Sequence, residues 1–293
     1  MENILELKNI SKNFKNYKAL DNVSFSLNEG EIIGLIGPNG AGKTTLMRII
    51  VGLTKNYDGQ LILKDGTSIG CVIETPSFYP YMTGYENLKY FASLNDVSTD
   101  KILETVKLLG LTDALNKKVK GYSLGMRQRL GIANALLRDP KLLILGEPTN
   151  GLDPSGILEM RKYIKDIAKK QNITVLISSH ILSELEKICD KAIIIQHGKI
   201  IDTFNINSLK NSNNVALKIG TTDINRALTF FNAQQIKILK YDADSISIIV
   251  PKQESKNIAQ LLIKNKINFF NIYEEEESLE DKFLDLIQEN AIV

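Results

Sequence analysis

The sequence predicts an α/β protein, built on a parallel sheet with crossover helices and followed by a smaller α+β unit. Three observations carry this. Short apolar runs alternate with amphipathic helical patterns, a glycine-rich loop joins one such run to one such helix, and a polar run near residue 210 precedes a fresh series of strands and helices. A length of 293 residues is long for one core and agrees with a large domain carrying an appendage.

Near the amino terminus, ILELKNISKNF and ALDNVSFSL alternate apolar with polar residues, as half-exposed antiparallel strands do, so a small antiparallel β subdomain is expected beside the core. EIIGLIG, KLLILG, ITVLISS and KAIIIQ are continuous apolar runs, the pattern of strands buried on both faces. KTTLMRIIVGL and GILEMRKYIKDIAKK space apolar residues three and four apart and read as crossover helices. Between about residues 76 and 138 the pattern is helical throughout, in NLKYFASL, DKILETVKLLGL and GMRQRLGIANALL, which predicts a helical subdomain. The polar run Leu209 to Asn214 marks a linker, dividing the chain into domains at 1–207 and 208–293. After it, VALKI, DINRALTFF, IKILKY, SISIIV, SKNIAQLLIKN and INFFNIYEE give the order βαββαβ, a ferredoxin-like split unit, with a closing helix at SLEDKFLDLIQ. The acidic run Glu274 to Glu277 reads as a solvated strand end.

Composition narrows the function. With 36 basic and 34 acidic residues the net charge is only +2, which argues against nucleic-acid binding through bulk electrostatics. Cys71 and Cys189 are widely separated and form no C-x-x-C, so neither a disulfide framework nor a zinc site is expected, and a reducing cytoplasm fits. The first twenty residues lack the apolar core of a signal peptide, and no stretch reaches the roughly 18 apolar residues of a membrane span. Work at a membrane would therefore go through a partner.

The segment GPNGAGKTT (Gly37, Pro38, Asn39, Gly40, Ala41, Gly42, Lys43, Thr44 and Thr45) follows the apolar run EIIGLI and opens a helix, the context a phosphate-binding loop requires. Its glycines let backbone amides turn toward phosphate oxygens, and the helix presents its positive end to the same anion. Lys43 is placed to reach the β- and γ-phosphates and the Thr44 hydroxyl to ligate Mg²⁺. Further on, YSLGMRQRL puts Ser123 at a helix N-cap, with Gly125 allowing close backbone approach. KLLILGEPTNGLDP delivers Glu147 at the end of an apolar strand, and ITVLISSH ends another strand in His180. His197, in the turn QHGK, reads as a surface residue.

Taken in order, these segments resemble the ATP-binding subunits of ABC transporters over about residues 2 to 205. YSLGMRQRL is similar to the family signature LSGGQ, departing from it at Tyr122, Leu124 and Met126. The resemblance implies that Ser123 and Gly125 close over the γ-phosphate of ATP held by the opposite subunit of a dimer, a homodimer or a pair of close paralogues. It implies Glu147 as general base or water-positioning carboxylate, His180 as the histidine that contacts the γ-phosphate, and Phe14, with Tyr17 as a second candidate, as the ring stacked on adenine. NGLD, ending at Asp153, resembles the dimer-contacting loop.

Two further positions depart from the family pattern, both bearing on Mg²⁺. Gly146 stands where an aspartate usually holds Mg²⁺ through its water shell, and Glu74 stands where glutamine is usual. Thr44 and the phosphates themselves could still coordinate the ion with Asp153 assisting, and the Glu74 carboxylate could supply the charge that Gly146 lacks. The alternative is a regulatory nucleotide-binding subunit with little turnover. IETPSFYPYMTGYENL, NGLDPSGILEMR and the carboxy-terminal appendage resemble the ATPases of bacitracin-resistance and lantibiotic-immunity exporters, which are similar in carrying glutamate at the Glu74 position. That implies ATP and Mg²⁺ as cofactors, an integral-membrane permease as partner, no nucleic acid, a place on the cytoplasmic face of the plasma membrane, and export of a peptide antibiotic. The aromatic segment Pro76 to Tyr85 would contact the permease or else form a packed loop.

Overall fold

Two twelve-residue strands, β1 (Asn3–Phe14) and β2 (Tyr17–Asn28), pair antiparallel about a tight turn at Lys15, whose φ is 42°. β4 (Asp58–Leu63) joins the other edge of β1, giving a three-stranded antiparallel layer ordered β2-β1-β4. Leu5, Leu7 and Ile10 of β1 and Leu20, Val23 and Leu27 of β2 are buried in the main core, while polar neighbours stay outside, which accounts for the alternation in the sequence.

The computed structural model describes residues 2–179, 182–206 and 214–275. Two compact units part between Asn205 and Ile206. The first centres on a six-stranded sheet ordered β5 (Ile69–Val72), β6 (Leu142–Gly146), β7 (Thr174–Ser179), β3 (Ile32–Ile36), β8 (Lys191–Gln196) and β9 (Lys199–Asn205). Its neighbours pair in parallel except β9, which runs antiparallel to β8. β3 and β7 are buried at every position, the reason their sequences are continuous rather than alternating. α1 (Lys43–Ile50), α5 (Pro154–Gln171) and α6 (Leu182–Ile188) are the crossover helices. Leu46, Met47 and Ile49 of α1 pack on Ile33, Leu35, Ile144 and Ile193, each such side chain contributing about 1.5–3 kcal/mol by leaving water.

Between the sheet strands lie α2 (Gly84–Ser93), α3 (Thr99–Leu108) and α4 (Leu124–Leu136). Each begins at a side-chain cap. Thr83 forms a reciprocal capping box with Glu86, Ser98 accepts from the Lys101 amide, and Ser123 accepts from the Met126 amide at 3.2 Å. These caps fix where each apolar stripe starts, and therefore which faces pack together: the three helices on one another, and α4 also on β5.

The second unit contains β10 (Asn214–Gly220), α7 (Ile224–Ala233), β11 (Lys237–Tyr241), β12 (Ser245–Pro251), α8 (Ile258–Lys264) and β13 (Asn271–Glu275). All its pairings are antiparallel, in the order β11-β12-β10-β13. Ala227 and Phe231 of α7 and Ile258 and Leu262 of α8 close its core over Leu217, Ile219, Ile246 and Ile248. Of the expected linker, all but Asn214 lies outside the described residues, as do Glu276, Glu277 and the closing helix expected at SLEDKFLDLIQ. Among the described residues no helix is long and apolar enough to cross a membrane.

Candidate active site

The buried strand β3 ends at Ile36 and delivers Gly37 to the carboxyl edge of the sheet, where ligands of open α/β folds bind. A Cβ on Gly37 would stand 2.2 Å from the Ile195 carbonyl oxygen, so only glycine passes there. Gly42, at the N-cap of α1, has φ of 106° and a Cβ position 2.7 Å from the Ala19 carbonyl. With no side-chain cap at Gly42, the first-turn amides of α1 are left for an anion. Lys43 is buried, and its Nζ donates to the carbonyls of Gly37 at 2.6 Å and Pro38 at 3.1 Å. Burial holds the pKa of Lys43 below the usual lysine value, and the Glu147 carboxylate acts in the opposite direction.

Tyr17, Asn39, Gly40, Lys43, Thr44, Thr45 and Glu147 line one cleft of about 200 Å³. Residues far apart in sequence thus meet at one place. Glu147 follows β6 at a φ of 48°, its amide donating to the Ser178 carbonyl at 3.0 Å and to Ser178 Oγ at 3.3 Å, which anchors the turn that carries the carboxylate. The Tyr17 hydroxyl donates to the Gly40 carbonyl at 2.9 Å. Phe14 is absent from this lining; it is 48% exposed, with the Lys12 ammonium 4.8 Å from its ring centroid. The second aromatic candidate is therefore the one beside the loop. Tyr17→Phe, which removes only that hydroxyl, is expected to weaken ATP binding about two- to tenfold in an equilibrium titration, the worth of one neutral hydrogen bond. An affinity within experimental scatter of the parent would show that the hydroxyl does not shape the loop.

Ser123, Gly125 and Asp153 line a different cleft, together with Arg129, Gly151 and Glu159. Asp153 caps α5, accepting from the Gly156 amide at 3.0 Å and from the Ser155 hydroxyl at 2.7 Å. The Ser155 hydroxyl first, and then the Gly156 amide, hold its carboxyl below the usual aspartate range. Within one chain Asp153 thus belongs with the signature turn and away from Thr44.

Glu74 lies in a third groove, where its carboxylate forms an ion pair with Arg48 of α1. Glu74 and Thr44 therefore line separate clefts. The sequence held a signal for this pairing only in the position of Arg48 one turn past Thr44. Gly146 is also more constrained than its sequence context indicates, since a Cβ there would stand 2.2 Å from the Ile73 carbonyl oxygen and 2.9 Å from its carbon. His180 lies outside the described residues. His197 is exposed in the β8–β9 turn, at φ 47°. Among the described residues no group of three His, Cys, Asp or Glu side chains could hold a metal ion. Among the side-chain oxygens lining the phosphate-loop cleft, the Thr44 hydroxyl is one that could ligate Mg²⁺ beside bound phosphates.

A glycine cradle at a helix N-terminus, a buried lysine and a carboxylate in one cleft define a nucleotide-phosphate-binding protein of the phosphate-loop class. The family model described as "ABC transporter" matches residues 20–150. The bacitracin transport ATP-binding protein BcrA of Bacillus licheniformis is 38% identical over 98% of this chain and 98% of its own length. The lantibiotic transport ATP-binding protein SrtF of Streptococcus pyogenes is 43% identical over 68% of this chain and 89% of its own. Among solved structures, the dimeric post-hydrolysis state of the ATP-binding cassette MJ0796 bound to ADP and Pi aligns at a TM-score of 0.61 and 26% identity, covering 69% of this chain and 98% of that one. The chain belongs to the ATP-binding proteins of the ABC transporter family. It is an ATPase, the motor subunit of a transporter.

Proposed function

We propose that two such chains, identical or close paralogues, close head to tail around two ATP molecules and drive a permease that exports a peptide antibiotic of the bacitracin or lantibiotic type. One observation carries the dimer: the residues lining the phosphate-loop cleft and those lining the signature cleft share no member, so one chain offers two half-sites. The loop amides and Lys43 hold the β- and γ-phosphates of one nucleotide, while Ser123 and Gly125 of the opposing chain cover its γ-phosphate, with Asp153 supporting that turn. Bound Mg²⁺ neutralises phosphate charge, with Thr44 supplying the protein's hydroxyl oxygen; Glu74 can contribute only by leaving Arg48. Glu147 orients and deprotonates the attacking water, assisted by His180. Tyr17 and Phe14 supply aromatic surface for the base. The domains are 1–207, the motor with its helical subdomain at about 76–138, and 208–293, which supports or regulates the dimer.

The names of BcrA and SrtF support the substrate class, and the exposed aromatics before and within α2 support the permease contact. Tyr79 stacks edge-on against Tyr90 at a centroid distance of 5.5 Å and lies 5.9 Å from Tyr81, which is 65% exposed. Such a patch on a helical subdomain suits a protein partner. Through it the chain would sit on the cytoplasmic face of the plasma membrane. Tyr79→Ala and Tyr81→Ala are expected to leave ATP hydrolysis by the isolated chain within about twofold. When co-expressed with the permease, each should lower protection against a bacitracin-type peptide at least about tenfold, the loss of one interface anchor. Protection retained in both variants would sink the assignment of this patch.

A further inference from the structure

Arg129 is one turn into α4, just beyond the signature turn, and its side chain is only 17% exposed. Its guanidinium touches three helices at once. Nη1 lies 3.4 Å from the Leu109 carbonyl and 3.4 Å from the Gly110 carbonyl at the end of α3, where the negative end of the helix dipole favours a cation. The same nitrogen lies 3.3 Å from the Tyr163 hydroxyl and 3.5 Å from a Glu159 carboxylate oxygen, both on α5, and the guanidinium carbon stands 5.6 Å from the Tyr163 ring centroid. Nε reaches back 3.4 Å to the carbonyl of Gly125 in the signature turn itself. Each contact is long for a hydrogen bond, but they share one rigid planar group, whose fork geometry an ammonium could not reproduce. Gly110 makes the junction possible: its φ is 62°, and a Cβ there would stand 2.3 Å from the Tyr163 hydroxyl.

The geometry points to Arg129 as the positioning residue that holds the Ser123–Gly125 turn in register with the Asn150–Asp153 turn, so that both meet the nucleotide of an opposing chain together. The link runs through two elements. Arg129 grips Gly125 directly, and through Glu159 and Tyr163 it grips the helix whose N-cap is Asp153. Its side chain lines the signature cleft, and the contacts of Nη1 and Nε are with carbonyls, a hydroxyl and a carboxylate of its own chain. Its work is therefore alignment. The role rests on the head-to-tail dimer proposed above and predicts a specific separation: nucleotide binding to the chain's own phosphate loop does not need Arg129, whereas closure on a second chain does.

The test uses the full chain carrying Glu147→Gln, with ATP binding followed by calorimetry and ATP-dependent dimerisation by light scattering. Arg129→Ala should leave the Kd for ATP within about twofold and weaken ATP-dependent dimerisation at least about tenfold, the scale of losing a shared charged hydrogen-bond hub. Arg129→Lys should stay about fivefold or more below the parent, because the charge remains without the fork. Tyr163→Phe, a milder change that leaves the ring in place, should weaken dimerisation about two- to fivefold. Dimerisation of Arg129→Ala equal to the parent overturns the role. So does a parallel fall in ATP affinity, dimerisation and melting temperature, which would mark Arg129 as general packing. A parent that binds ATP but remains monomeric removes the head-to-tail dimer and this role with it, a result read from the parent alone.

Discussion

Gly146→Asp is expected to destabilise the nucleotide-binding unit by about 3 kcal/mol and to leave ATP turnover no higher than in the parent, although it writes the usual family residue back into the strand. The reason is steric. β5 and β6 pair in parallel with Val72 opposite Leu145, which brings the next residue, Ile73, against Gly146. Its carbonyl oxygen occupies the position of the missing side chain, 2.2 Å from where a Cβ would sit, and the obstacle is backbone rather than a flexible side-chain tip. An aspartate must push that strand end aside and also set a carboxylate beside a carbonyl oxygen. At about 2–4 °C per kcal/mol for a domain of this size, the melting temperature should fall by about 10 °C. Gly146→Ala separates the two contributions, since it adds the clash without the charge, and should cost about 1–3 kcal/mol. Thermal melts with phosphate-release assays decide the matter: an aspartate variant that melts with the parent and turns over faster would show that the strand end yields easily and that the site lacked only its carboxylate.

The same register explains what could be read from the sequence and what could not. The phosphate loop was legible because its chemistry is local: nine consecutive residues, a strand before them and a helix after. Ser123 was legible as a helix start for the same reason, its capping bond spanning only three residues, whereas Asp153 was legible only as part of the dimer-contacting loop and its equally local cap on α5 went unread. The order of elements after residue 214 could also be followed from periodicity, since each strand and helix declares its own period. Contacts made by non-local pairing were hidden. Nothing near Gly146 announces that Ile73 crosses it, nothing near Glu74 announces Arg48, and the Tyr17 hydroxyl on the Gly40 carbonyl bridges two separate segments. Phe14 matched the expected place of an aromatic ring, yet it sits across the hairpin from Tyr17, and it is Tyr17 that faces the loop. Strand order was likewise beyond the sequence, because β3 lies between β7 and β8 through pairings more than a hundred residues long.

Glu147→Gln is expected to lower ATP turnover at least about a hundredfold while leaving nucleotide binding near the parent's, because a neutral amide of the same shape keeps the packing of the turn and loses the proton acceptor. The carboxylate has a second effect that the substitution also removes. Burial depresses the Lys43 pKa, and the negative charge of Glu147 counters it. With glutamine in place burial acts unopposed, so Lys43 loses its proton at lower pH than in the parent. The ammonium favours the phosphates only while protonated, and ATP affinity should therefore be full below its pKa and fail as pH rises through it. That failure should begin earlier on the pH scale in the variant. Turnover measured at neutral pH reports the lost base, and ATP affinity measured across the alkaline range reports the lysine. A hundredfold loss of turnover with superimposable affinity profiles would confine Glu147 to the attacking water. Retained turnover would show that another group prepares the water, and Glu147 would then be left with only its electrostatic influence on Lys43.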